Sequence, residues 1–128
     1  MREDQAVLAV NDAFYRAFER KNLEAMQQVW SKGLGSLCIH PGRKALCGWE
    51  QIHDSWQTIF RNTNYIEIET EIITTEVNGD LAYVVLIETV LQVVGRKKFQ
   101  ARSLSTNVFE RMATRWYLVH HHGSPLID

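Results

Sequence analysis

The sequence has little of what braces or punctuates small folds. Two prolines in 128 residues leave no room for a proline-rich linker. Two cysteines, Cys38 and Cys47, are too few for a disulfide framework. They flank a turn and read as reduced, mostly buried thiols. A disulfide between them is the lesser option, since the turn brings them near each other. No run approaches the roughly 18 apolar residues that a membrane span needs. The opening stretch carries Glu3, Asp4, Asp12 and Glu19 and no unbroken apolar run, so it does not read as a signal peptide. These absences predict a cytoplasmic protein without a membrane partner.

An excess of one charge is also missing. Fourteen basic residues stand against 15 acidic ones, for a net charge of −1. A nucleic-acid partner calls for a clustered basic face, and none is predicted. The dense basic run Arg96-Lys97-Lys98 follows Gly95 and reads as a solvated hairpin turn. No internal repeat, low-complexity stretch or linker divides the chain. Its length suits a single domain over 1–128.

What is present is a helical first half and a strand-rich second half, which argues for an α+β fold. Residues 4–20 have helical periodicity, with Val7, Val10, Phe14, Ala17 and Phe18 on one stripe. Asn22 caps a short second helix that carries Leu23, Met26, Val29 and Trp30. Residues 36–40 form a short strand, and Pro41-Gly42 turns the chain. Residues 49–61 are a third helix, with Ile52, Trp56, Ile59 and Phe60 on its apolar face. The rest is sheet: strands at 65–77, 81–94, 99–111 and 115–122, the first two joined by the hairpin signal Asn78-Gly79-Asp80. Long antiparallel strands with three helices on one face must curl, and curling leaves a concavity suited to a pocket.

Several segments together resemble a known family. They are Cys-Ile-His-Pro-Gly at 38–42, Gly48, Ser55-Trp56 with Ile59-Phe60, and Ala82-Tyr83-Val84. Thr106-Asn107-Val108-Phe109 and the closing run from Trp116 to Pro125 complete the set. The pattern resembles the SnoaL-like branch of the NTF2-like superfamily, which shares the ketosteroid isomerase and polyketide cyclase fold. The resemblance implies a cone-like curved antiparallel sheet backed by three helices and enclosing a pocket. It also implies a homodimer packed through the outer sheet face. Family members include isomerases, cyclases, dehydratases, epoxide hydrolases and non-enzymatic association domains, so the fold alone does not choose a function.

Strand alternation sorts the candidate site residues. In the last strand, Trp116, Leu118, His120 and His122 share one face, which points His120 and His122 into the concavity and His121 outward. His40 ends the first strand before the Pro-Gly turn. In the steroid isomerases the catalytic carboxylate base stands at about this place, and an imidazole can act as a base there with a break near neutral pH. The resemblance puts the isomerases' oxyanion tyrosine at Phe14, with Tyr15 one residue off the face, and their acid near Asn107. Phenylalanine cannot donate a hydrogen bond, so the known oxyanion hole is damaged or rebuilt and steroid isomerisation is not expected.

Asn107 is favoured over Arg102 for the pocket because the two have opposite parity. Glu88 either polarises a histidine, as carboxylates beside imidazoles do, or stands in water at a strand end, and the second reading is preferred. Phe14, Trp30, Trp56, Phe60, Tyr83 and Phe109 are read as core and pocket wall, implying a ligand with an apolar body and one or two polar groups. His53 reads as a boundary residue of the third helix.

Three functions follow. The first is a cofactor-free lyase or isomerase acting on an apolar carbonyl or hydroxyl compound. Its base is His40, and Asn107, His120 and His122 orient the substrate. The second is a non-catalytic ligand-binding or association domain. The third is a metal-dependent hydrolase using His40, His120 and His122, although no Asp or Glu at recognisable spacing supports a metal and no cofactor is expected.

Overall fold

A computed structural model describes residues 2–127. Helix α1 spans Glu3–Glu19, α2 Leu23–Val29 and α3 Trp49–Asn62. Short strands β1 (Leu37–Ile39) and β2 (Leu46–Cys47) lie between α2 and α3. Four long strands follow: β3 (Tyr65–Asn78), β4 (Leu81–Val94), β5 (Lys97–Met112) and β6 (Arg115–Pro125). The six strands form one open sheet in the order β2-β1-β6-β5-β4-β3. All neighbours run antiparallel except β1 and β6, which are parallel. Among the described residues no helix is long and apolar enough to cross a membrane.

The helices form where the apolar stripes predict them. α1 buries Val7, Phe14, Ala17 and Phe18, and it also buries the polar Asn11 and Tyr15. Glu3 and Asp4 occupy its first turn, where the helix dipole favours negative charge. Asn22 starts α2 by accepting a hydrogen bond from the Ala25 amide at 3.0 Å. Glu19 at the end of α1 accepts from the Ile68 amide at 2.8 Å and so ties the helix to β3. At the other end Arg111 bridges Glu3 and Asp80, at 2.8 and 2.9 Å. The helices therefore pack along the length of the sheet.

The core lies between the helices and the inner sheet face. Phe14 stands edge-on to Tyr15, Trp30 and Trp56, with ring centroids 4.8, 6.2 and 5.7 Å away. The inner face of β4 carries Ala82, Val84, Leu86 and Glu88, and that of β5 carries Ser103, Ser105, Asn107 and Phe109. Two register shifts, at Ile72/Thr74 and Val108/Phe109, bend the sheet.

The second shift corrects the sequence reading of β6. Phe109 pairs with Leu118 and Val108 with His120, so Val119 is an extra residue. Parity changes there. Trp116 and Leu118 are inside as predicted, but His121 is inside with them, and His120 and His122 lie on the outer face. Tyr83 is also on the outer face and 43% exposed, so it is not pocket wall. Cys38 and Cys47 are free, and Cys47 is exposed rather than buried.

Candidate functional site

A cavity of about 850 Å³ opens between α3, the turn after β1 and the inner sheet face. Phe18, Leu46, Ile59, Val90 and Ala101 give it an apolar body. The large aromatics expected on its wall stand elsewhere. Phe14, Trp30, Trp56 and Phe109 are packed in the core behind it, and Phe60 is half-buried on α3. His40 and Ser55, Glu88 with Ser103, and His121 supply its polar lining.

His40 reaches the cavity because β1 runs parallel beside β6, with Cys38 opposite His121. Alternation then places Cys38 and His40 on the inner side. The His40 Nε2 atom lies 2.8 Å from Ser55 Oγ, and the ring stands edge-on to Trp56 at 5.0 Å. These contacts fix the ring in either tautomer. Burial, and then the charge of Arg43, bring its pKa down to about 4, so the ring is neutral at physiological pH.

The turn that carries His40 is seated by a glycine. A Cβ on Gly123 of β6 would stand 2.9 Å from Pro41 Cγ and 3.3 Å from Ser105 Oγ. Only a residue without a side chain lets Pro41 approach the sheet this closely.

Behind the cavity lies a buried polar chain. Asn107 is on β5 opposite His121. Its Nδ2 donates to Asn11 Oδ1 at 2.9 Å and to the Tyr15 hydroxyl at 3.1 Å. Both amide hydrogens are then used, and Oδ1 faces His121 Nδ1 at 2.5 Å. Two acceptors cannot share that contact, so Nδ1 carries the proton and Nε2 the lone pair. Burial, then neighbouring His40, His120 and His122, push the pKa of His121 down to about 3. This histidine is neutral at physiological pH, with its tautomer set by an amide.

Glu88 corrects a further expectation. It is 2% exposed, on the inner face opposite Ser103, not in water. Burial raises its pKa, and the hydroxyls of Tyr15 and Ser105 oppose that rise. Among the described residues its Oε2 has no hydrogen-bond partner. Tyr15, held protonated by burial and by Glu88, belongs to the same cluster. A buried tyrosine and a buried acid thus stand together on the inner side, at Tyr15 and Glu88. Sequence reasoning missed both, along with Ser55 and His121. The even spacing of Glu88 from Ala82, Val84 and Leu86 was the available signal for Glu88.

Asn107 is inside as expected, but as the organiser of the chain behind the cavity. Arg102 is exposed on the opposite parity. His53 is half-buried on α3, with Nδ1 3.2 Å from Asp54. A metal held by His40, His120 and His122 is ruled out by geometry, because His40 is inside the sheet and the other two are outside. Among the described residues no three His, Cys, Asp or Glu side chains are grouped to hold a metal.

Comparison with known proteins agrees with this architecture. The profile of a family described as "SnoaL-like domain" matches residues 7–128. The F-box protein SKIP8 of Arabidopsis thaliana is 29% identical over 123 residues, covering 96% of this chain and 51% of that protein. This chain therefore spans about half the length of that relative. A crystal structure from Streptomyces avermitilis, provisionally named a dehydratase of the NTF2-like family, is 30% identical with a TM-score of 0.89, covering 97% of this chain and 96% of that one. One from Thiobacillus denitrificans is provisionally named a calcium/calmodulin-dependent protein kinase type II association domain. It is 29% identical with a TM-score of 0.83, covering 93% of this chain and 94% of that one.

Proposed function

The chain belongs to the SnoaL-like domain family of NTF2-like proteins, and from that premise we propose that it is a small-molecule-binding lyase or isomerase that needs no cofactor, with His40 as general base. The observation that carries this reading is the presence of two groups in the lining of one cavity: a neutral, oriented imidazole and a buried acid. His40 accepts a proton from a carbon next to a carbonyl, and the C–H electron pair moves toward the carbonyl oxygen. Glu88, whose protonated form burial favours, offers its proton to a hydroxyl oxygen of the substrate, which in the lyase reaction leaves as water. Return of the proton at another carbon completes an isomerisation. Loss of a leaving group from the neighbouring carbon completes a lyase reaction. The provisional name of the Streptomyces relative is of the lyase kind. The two free thiols support a reducing, cytoplasmic setting.

The test is proton exchange in deuterated water, followed by NMR over a panel of apolar-bodied ketones and hydroxy ketones. The protein is expected to catalyse exchange of the proton next to the carbonyl, and His40→Ala to slow it by about a hundredfold or more. Because the base titrates at about 4, the rate is expected to be flat through neutrality and to fall in acid. Exchange that survives His40→Ala unchanged overturns the assignment.

A second reading, an association domain, is favoured by the outer sheet face. Tyr83 and Leu104 are 43% and 38% exposed there. The provisional name of the Thiobacillus relative is of this kind. The two readings use opposite faces of one sheet and are compatible.

A further inference from the structure

The cavity has two polar ends of different character. At the inner end, among the described residues, Oε2 of Glu88 has no hydrogen-bond partner, and the hydrogen bond of His121 to Asn107 is made through Nδ1, which leaves Nε2 for a ligand. Both residues are buried and line the cavity. Since Asn107 fixes the proton on Nδ1, Nε2 can only accept. A carbonyl placed there offers another acceptor and leaves Nε2 unsatisfied. A hydroxyl donates to Nε2 and keeps its lone pairs for a donor on Glu88. A buried acceptor left unmatched weakens binding, so this end discriminates between the two groups.

At the mouth the lining is charged. Arg43 and Lys44 follow the Pro41-Gly42 turn and line the opening. Both are exposed, and neither makes an ion pair among the described residues. Arg43 is near enough for its charge to act on His40. Asp54 is the anion on the rim, and it lies beside His53. The balance at the mouth is two cations to one anion, and a guanidinium suits a carboxylate.

We propose that the ligand is a hydroxy acid, an apolar-bodied small molecule that buries a hydroxyl against Glu88 and His121 and presents a carboxylate to Arg43 and Lys44. The proposal rests on the small-molecule reading above and narrows its substrate class. The apolar body lies along Phe18, Ile59 and Val90 between the two ends.

A matched set of probes tests it by titration calorimetry, with tryptophan fluorescence as a second signal. The set is para-(hydroxymethyl)phenylpropanoate, its primary amide, and the para-methyl and para-formyl acids. The hydroxy acid is expected to bind about tenfold more tightly than each of the others. The double variant Arg43→Ala/Lys44→Ala is expected to remove the preference for the acid over the amide. Glu88→Leu is expected to remove the preference for hydroxymethyl over methyl, and Glu88→Gln to restore part of it. If the amide or the methyl acid binds as well as the hydroxy acid, or if either preference survives its variant, the proposal is overturned while the cavity reading stands. If no probe binds at millimolar concentration, the small-molecule reading falls with it.

Discussion

At the residue scale, burial in the site favours the neutral form of each titratable group. His40 and His121 are neutral, with pKa values of about 4 and about 3, because burial penalises their cations. His40 faces Arg43, Ser55 and Cys38, and His121 faces Asn107 and His40. In the unfolded chain both return toward about 6.5. Between about 6.5 and about 4 the unfolded state therefore binds more protons than the folded one. Stability is full above that window and is lost as pH falls through it. Glu88 acts in the other sense: its pKa is raised in the fold, so its contribution is present in acid and lost as pH rises. With two histidines against one carboxyl, unfolding free energy measured by urea titration is expected to drop by a few kcal/mol on acidification from about pH 7 to about pH 4.5. His40→Gln is expected to flatten part of that slope. A slope identical in the variant contradicts a buried neutral His40.

At the element scale, the short β1 strand and its turn are placed by β6. Gly123 is the contact point, with Pro41 standing where a side chain would be. Gly123→Ala is expected to push the Pro41 turn outward and to carry His40 and Arg43 with it. We expect a loss of about 1–2 kcal/mol in thermal melts, and a proportionally larger loss of binding by the hydroxy-acid probe. A variant that loses stability and keeps full affinity shows that the turn moves independently of the cavity. The elements themselves were legible in the sequence. Stripes of period 3.6 mark α1 and α3, and the Asn22 cap and the Gly79 turn mark boundaries. β2, at two residues, has no period to read. The bulge at Val119 was equally invisible, because an extra residue in a strand leaves the local alternation of apolar side chains intact. One inserted residue exchanged His121 for His120 and His122. It did not disturb Asn107 or Glu88, whose strands β4 and β5 pair without a shift. Glu88 was misread for a different reason: a carboxyl on an apolar face is costly, and a strand end in water is the cheaper place for it.

At the scale of the whole molecule, one sheet separates two surfaces of unlike character. The helices cover the inner face and leave the cavity at its edge. Among the described residues no helix covers the outer face. Tyr83 and Leu104 are exposed on it, with Val85, Ile87 and Val108 half-buried around them. An apolar face of this kind is stable in water when another surface covers it, and a second copy of the same face is self-complementary about a twofold axis. We therefore expect the protein to sediment as a dimer at micromolar concentration. Tyr83→Lys with Leu104→Glu is expected to convert it to a monomer that stays folded, because neither side chain reaches the core. The cavity opens on the other face, so the monomer is expected to keep its affinity for the hydroxy-acid probe. A wild-type protein that sediments as a monomer removes the homodimer. A monomeric variant that no longer binds the probe shows instead that the cavity depends on the second copy.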